Sequence, residues 1–251
     1  MLRDTLLIYR RSMRQSLRVP IWMVFSLIQP IMYLVLFGPL LKQVAKTPGF
    51  PDGNSWNIFV PGLLVQLGIF GTFFVGFGLI DEIRSGVIER MRVSPVSRTA
   101  LLVGKVMRDC TVLLAQTALL TVLAIPFGLV LTWQAVIGGL AIVTLLGTTF
   151  ASISYAIAMV AKDEDALIGV LNFFTAPLLL LSGILLPMTL APHWLQNVAK
   201  ANPISHVVDG LRALFQADIN GSTVALSFGV SLAMSALATF LAARTFRNEN
   251  A

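Results

Sequence analysis

The sequence predicts an all-α polytopic membrane protein with six transmembrane helices, and three observations predict it. Of 251 residues, 56% are hydrophobic and only 12% charged, with a mean hydropathy of +0.83; a soluble chain carries about 25% charged residues. Six apolar runs reach the roughly 20 residues that cross a bilayer core: 19–41, 58–80, 106–131, 135–161, 166–186 and 222–243. The cations are unevenly shared between the two sides such a chain would have. Six spans put both termini on one side, which then holds Arg3, Arg10, Arg11, Arg14, Arg18, Arg84, Arg90, Arg92, Arg98, Lys105, Arg108, Lys162, Arg244 and Arg247. The other side holds only Lys42, Lys46, Lys200 and Arg212. The positive-inside rule places both termini in the cytoplasm. Lipid offers the backbone no hydrogen bonds, so helices are the expected spans. With no internal repeat, low-complexity tract or separating linker, residues 1–251 read as one domain.

Residues 1–18, MLRDTLLIYRRSMRQSLR, come first. At 100° per residue, Leu2, Leu6, Tyr9, Met13 and Leu17 share an arc, and five arginines fall beside it. This predicts an amphipathic helix lying in the interface, its arginines near anionic headgroups. The 19–41 run is too long for a signal peptide and no A-x-A site follows, so it reads as a retained anchor. The third run is least defined at its start, where Lys105, Arg108 and Asp109 sit; Asp109 is expected to pair with its basic neighbours at the interface. The single cysteine, Cys110, excludes an internal disulfide and reads as a small buried residue.

Between the second and third runs lies IDEIRSGVIERMRVSPVSRTALLVGK, residues 80–105. Asp81 to Arg92 can form about three turns of helix, with weak i,i+3 pairs at Asp81–Arg84 and Glu89–Arg92. Gly86 in its middle costs about 1 kcal/mol against alanine, which suggests a close contact there. Ser94-Pro95 stops the helix, and Ser97 is a good N-cap for the next one. A short charged helix is thereby held between two spans.

Between the fifth and sixth runs lies LSGILLPMTLAPHWLQNVAKANPISHVVDGLRALFQADING, residues 181–221. HWLQNVAK can make two turns. Asn202-Pro203 is a turn with proline at the first helical position. Ile204, Val207, Val208, Leu211, Leu214 and Phe215 then form an amphipathic stripe. Two short helices joined by Asn-Pro, spanning about 187–221, are expected to dip into the outer leaflet and return, with Trp194 partly buried. Asp209 and Arg212, spaced i,i+3, are expected to pair there.

No phosphate-binding G-x-x-x-x-G-K-[ST] and no nucleophile elbow occurs. His193 and His206, near Asp209 and Asp218, are expected to be ordinary surface groups rather than metal ligands. Inside the spans, Gln66 and Asn172 stand among aromatic clusters, Phe70, Phe73 and Phe74 in the second run and Phe173 and Phe174 in the fifth. Apolar walls with a few polar groups suit an amphiphile.

Taken together, these residues resemble the permease subunits of type-2 ABC exporters, especially the daunorubicin-resistance group, over nearly the whole chain. FVPGLLVQ at 59–66 looks like the start of that family's second span. The charged loop is similar to its first cytoplasmic loop, with Glu82, Gly86, Arg90, Pro95, Ser97, Arg98 and Lys105 in the expected places. LSGILLP, PHWLQ and NPISHVVDGLRAL, in that order, look like its outer region. The resemblance implies that loop 81–98 is a coupling helix seated in a groove of a separate ATP-binding subunit, with Glu82, Gly86, Glu89, Arg90, Arg92 and Pro95 as its contact residues.

It implies, too, that the outer pair is a re-entrant hairpin with Asn202, Pro203, Asp209 and Arg212 at an external gate. Two permeases, expected as a homodimer in membrane lipid, would join two ATPases in a prokaryotic plasma (inner) membrane. Gln66, Phe70, Phe73, Phe74, Asn172 and Phe173 are the path candidates. No catalytic residue, metal, cofactor or nucleic acid is expected on this chain; ATP and Mg belong to the partner, expected on a separate chain because this one reaches Ala251 just past its sixth run. The implied cargo is an amphiphilic drug or lipid-like molecule, with polysaccharide or sodium export as the alternatives. An ion-coupled carrier would need paired intramembrane charges and inverted repeats, and the sequence displays neither.

Overall fold

The computed structural model describes residues 2–18, 21–44, 53–92, 97–184, 188–217 and 221–248. Regular structure among them is helical: α1 (Leu2–Arg18), α2 (Ile21–Val44), α3 (Ser55–Phe73), α4 (Gly76–Arg84), α5 (Val87–Arg92), α6 (Arg98–Ala124), α7 (Trp133–Ala161), α8 (Glu164–Leu181), α9 (His193–Lys200), α10 (Pro203–Phe215) and α11 (Ser222–Asn248). Among the described residues, five stretches are long and apolar enough to cross a bilayer: Ser55–Arg84, Thr99–Phe127, Trp133–Ala161, Glu164–Leu181 and Ser222–Asn248; the number is six if α1 and Met23–Gly38, bent by 67°, count as one span. The chain is therefore an all-α polytopic membrane protein.

The ends of these helices follow local chemistry. Asn54, Ser97, Thr132, Asp163 and Asn202 each accept a backbone N–H at the start of α3, α6, α7, α8 and α10, satisfying an amide that would otherwise be orphaned. Pro203 occupies the first turn of α10, where its missing N–H costs nothing.

α7 is the central helix, in contact with α3, α4, α6, α8, α10 and α11. Lipid tails are as apolar as leucine, so helices in a bilayer associate through close packing of small residues. That is what α7 uses. A Cβ on Gly147 would collide with Leu113 of α6, one on Gly138 with Leu214 of α10, and one on Gly139 would crowd Phe215. α11 presents Ser227, Ser231 and Ser235, all buried, and Ser227 abuts Gly210 of α10. α3 is enclosed on every side from Trp56 to Ile69. It breaks at Phe74–Val75 before α4 begins, and the Gly76 N–H turned out by the break donates to Ser154 Oγ of α7 at 3.0 Å.

α6 begins at Arg98 behind the expected Ser97 cap, so about two helical turns precede the apolar run that starts near 106; Asp109, expected at the interface, is instead buried inside the bundle with Lys105. α1 packs along α6 through Ile8 and Ser12. Gly104 of α6 admits Ile8 closely, while Leu2, Leu6, Leu7 and Leu17 face outward. Trp194, expected to dip into the outer leaflet, is 67% exposed on the surface of the bundle.

Candidate functional site

At the arginine-rich end, the expected three-turn helix from Asp81 to Arg92 is two pieces. Asp81 to Arg84 are the last turn of α4, and Ser85-Gly86 turns the chain into α5. Gly86 has φ +69 and nothing within 4 Å of where a Cβ would stand. Its role is therefore backbone conformation, which glycine alone adopts cheaply, and not the close contact its position suggested. The Arg90 guanidinium folds back onto the carbonyls that end α4, donating Nη2 to Ser85 O at 3.1 Å and Nε to Gly86 O at 3.3 Å. A cation is favoured at a helix C-terminus.

Glu82 is corrected most sharply. Expected on the contact surface, it is buried, with Lys105 Nζ of α6 at 2.6 Å from Oε2. One turn further along α6, Asp109 receives the Tyr155 hydroxyl of α7 and lies 3.0 Å from Arg108 Nη1. These charges sit inside the bundle, not at its interface with water. Arg84, by contrast, is half exposed and bridges to Asp163 and Glu164 at the start of α8, at 3.4 and 2.7 Å. The feet of α5 are thus tied to α6 and α8. Pro95 and the side chains of Glu89 and Arg92 lie outside the described residues.

At the opposite end, every residue of the α10 stripe is buried, packed on α3, α7 and α11. Arg212 goes in with it. Its Nε donates to Ile58 O at 3.0 Å and its Nη2 to Gly183 O at 2.6 Å, with Ile184 O at 3.4 Å. Pro61, which lacks an N–H, leaves the carbonyl of Asn57, one residue before Ile58, without its helical donor. Burial lowers the guanidinium to about 10, so it is charged at neutral pH. The expected Asp209 partner is 3.9 Å away and its side chain is 55% exposed. Three carbonyls, not the carboxylate, hold this cation.

Asn57, which the sequence reading missed, completes the same region. Its amide nitrogen donates to Phe215 O and to Val130 O, and its oxygen accepts from Val130 N at 3.0 Å. One side chain joins α3, the α6–α7 turn and the end of α10. Nothing in hydrophobic periodicity marks such a residue. Asn202 is buried at the start of α10, capping Ile204 N at 3.0 Å.

The path candidates separate. Gln66 is buried, with no hydrogen-bond partner for Oε1 among the described residues. Phe73 is buried against Phe150. Phe70, Phe74 and Phe77 stack along a half-buried face of α3 and α4. Asn172 and Phe173 are exposed on α8. A partly open apolar cleft of about 170 Å³, lined by Leu64, Thr117, Val122, Leu131 and Phe215 among others, is smaller than the roughly 300 Å³ of a small-molecule pocket.

The chain that folds into these helices matches a known family in sequence. Residues 3–216 match the ABC-2 type transporter family, and the chain belongs to it. It is a membrane permease subunit of an ABC transporter, a transport component and not an enzyme. Over 249 residues it is 28% identical to the "Daunorubicin resistance ABC transporter permease protein DrrB1" of Streptomyces coeruleorubidus, covering 96% of this chain and 85% of the relative. It is 24% identical over 215 residues to the "Probable doxorubicin resistance ABC transporter permease protein DrrC" of Mycobacterium tuberculosis, covering 83% and 75%. The "Probable multidrug ABC transporter permease YbhR" of Escherichia coli is 27% identical over 204 residues, covering 78% and 53%.

Proposed function

We propose that this chain is the membrane half of an ATP-driven exporter of amphiphilic molecules. The observation that carries the reading is α5, a short helix set off by the left-handed Gly86 and braced by Arg90, Arg84–Glu164 and Glu82–Lys105. A motor on a separate chain needs a stiff element to push, and α5 is braced where it leaves α4. The ATP-binding subunit, carrying ATP and Mg, docks on α5 from the cytoplasm, where the excess of Lys and Arg places both termini. The membrane is then the plasma (inner) membrane of a prokaryote.

Two copies of the chain enclose the path. The exposed face of α8, with Asn172 and Phe173, supplies apolar wall and one amide at that seam. Gln66 and Phe73, closed within a single copy, support the helices behind it. α10 closes the outer mouth through Arg212. Relatives named for daunorubicin and doxorubicin resistance favour an amphiphilic drug or lipid-like cargo. The test is co-purification with a separate chain bearing a Walker A motif, followed by ATPase assay with doxorubicin. Stimulated hydrolysis by the complex supports export; a permease that binds no ATP-binding subunit sinks the reading.

A further inference from the structure

Lys105 and Asp109 stand four residues apart on α6, both buried. Each reaches a different neighbour. Lys105 meets Glu82 of α4 at 2.6 Å, with 4% and 10% of the two side chains exposed. Asp109 holds the Tyr155 hydroxyl of α7. Lys105 Nζ also lies over the Tyr155 ring, 6.0 Å from its centroid. Taking such charges out of water is expensive, and apolar side chains of equal volume often stabilise as well or better. Stability alone therefore gives no reason for this arrangement, whereas an ion pair fixes register between the elements it joins.

The location of the pair supplies a reason. Glu82 stands near the end of α4 and Lys105 in the second turn of α6, so they are the two feet of the loop that carries α5. We infer that Glu82–Lys105 is a clasp that holds those feet in one register, so that α4 and α6 move as one body when α5 is displaced. The Asp109–Tyr155 bond extends that body to α7, which touches α3, α10 and α11. Glu82 and Lys105 are thus positioning residues for energy transfer, and Glu82 acts from inside the bundle without touching the ATP-binding subunit. The inference rests on reading α5 as that subunit's docking element.

The test uses the pair Glu82→Met with Lys105→Met, which removes both charges and strands neither, and the exchange Glu82→Lys with Lys105→Glu. One readout needs no partner. Spin labels at Val87→Cys and Met107→Cys, in a Cys110→Ser background, report the distance between α5 and α6 in the purified permease. The second readout is doxorubicin transported per ATP hydrolysed by the reconstituted complex. The methionine pair should stay folded and monodisperse, broaden the distance distribution and lower transport per ATP by about tenfold, the size of a strong coupling term. The exchange should restore both. A merely structural pair would change yield and leave the ratio alone. A narrow distribution in the methionine pair overturns the clasp, and so does a broad one with unchanged transport per ATP. If the unmodified permease binds no ATP-binding subunit, the docking reading fails while the spin-label distances still decide whether the clasp holds α5.

Discussion

Replacing Arg212 by methionine keeps the aliphatic stem and removes every donor. The structure allows the cost to be worked out. Ile58 O and Gly183 O, at 3.0 and 2.6 Å, lose charge-assisted bonds, and Ile184 O at 3.4 Å loses a weaker one. A hydrogen bond to a charged donor is worth about 1.5–3 kcal/mol; Ile58 O keeps the helical amide of Gly62 and loses less, so the two short bonds together account for about 2–5 kcal/mol. Relief of the buried cation's desolvation offsets part of this, and the expected net loss is about 2–3 kcal/mol. Lysine can serve one carbonyl but not three, and should recover about half of it.

Asp209→Asn should cost under about 0.5 kcal/mol, because that carboxylate is largely exposed and 3.9 Å away. Adding it to the methionine variant should change nothing further. SDS titration in mixed micelles, followed by tryptophan fluorescence, measures all four variants, and transport at matched expression places them in the same order. The reasoning is refuted if Arg212→Met unfolds within about 0.5 kcal/mol of the parent, or if Asp209→Asn rescues it by more than about 1 kcal/mol. Rescue is what a dominant Asp209–Arg212 pair would produce, and the geometry argues against it.

Impermeant thiol reagents applied to intact cells should label Asn197→Cys and spare Ser85→Cys, both positions being exposed and on opposite ends of the bundle; labelling of Ser85→Cys would overturn the orientation. Ser205, though on the same outer segment, is buried and bonded to Ala199 O and Asn202 O, and is a poor reporter. Gly62→Ala should abolish the folded protein, because the added Cβ meets the Ile184 carbonyl oxygen, which is backbone and cannot swing away; Gly78→Ala, with open space around it, should be neutral or gain about 0.5 kcal/mol from better helix propensity. Yield and melting temperature in detergent separate the two.

The spans and caps were legible because they depend on local chemistry. Apolar length marks a span, and an oxygen-bearing side chain before it marks a start; Ser97 and Asn202 cap as their positions suggested. The stripe from Ile204 to Phe215 was legible too, since period and burial coincide there. What was not legible involves partners distant in sequence. Lys105 reads as a solvated charge until Glu82 is seen beside it. Nothing in the sequence joins the two, and Glu82 was put on the contact surface by the resemblance alone. Gly86 was visible, but composition does not reveal the sign of φ. Arg212 was paired with Asp209 because i,i+3 spacing is the only proximity a sequence displays, whereas its carbonyl partners lie 28 to 154 residues away. Of the path candidates, the sequence grouped amides and aromatics by type, and the fold disperses them between the core and the α8 face.

The seating of α1 bears on how the chain is made. Its buried residues, Ile8 and Ser12, rest on α6, with Gly104 beneath Ile8. That glycine is synthesised about a hundred residues after α1, a wait of roughly 5–20 s at common elongation rates. During that interval α1 has no protein surface to occupy. On the reading of α1 as an interfacial helix, the outward Leu2, Leu6, Leu7 and Leu17 would give it a place in the bilayer surface meanwhile, and would stay there after docking because a different face does the docking. α1 can therefore be parked on lipid first and fastened to the bundle later without letting go of the membrane, and the order of translation sets no conflict between the two.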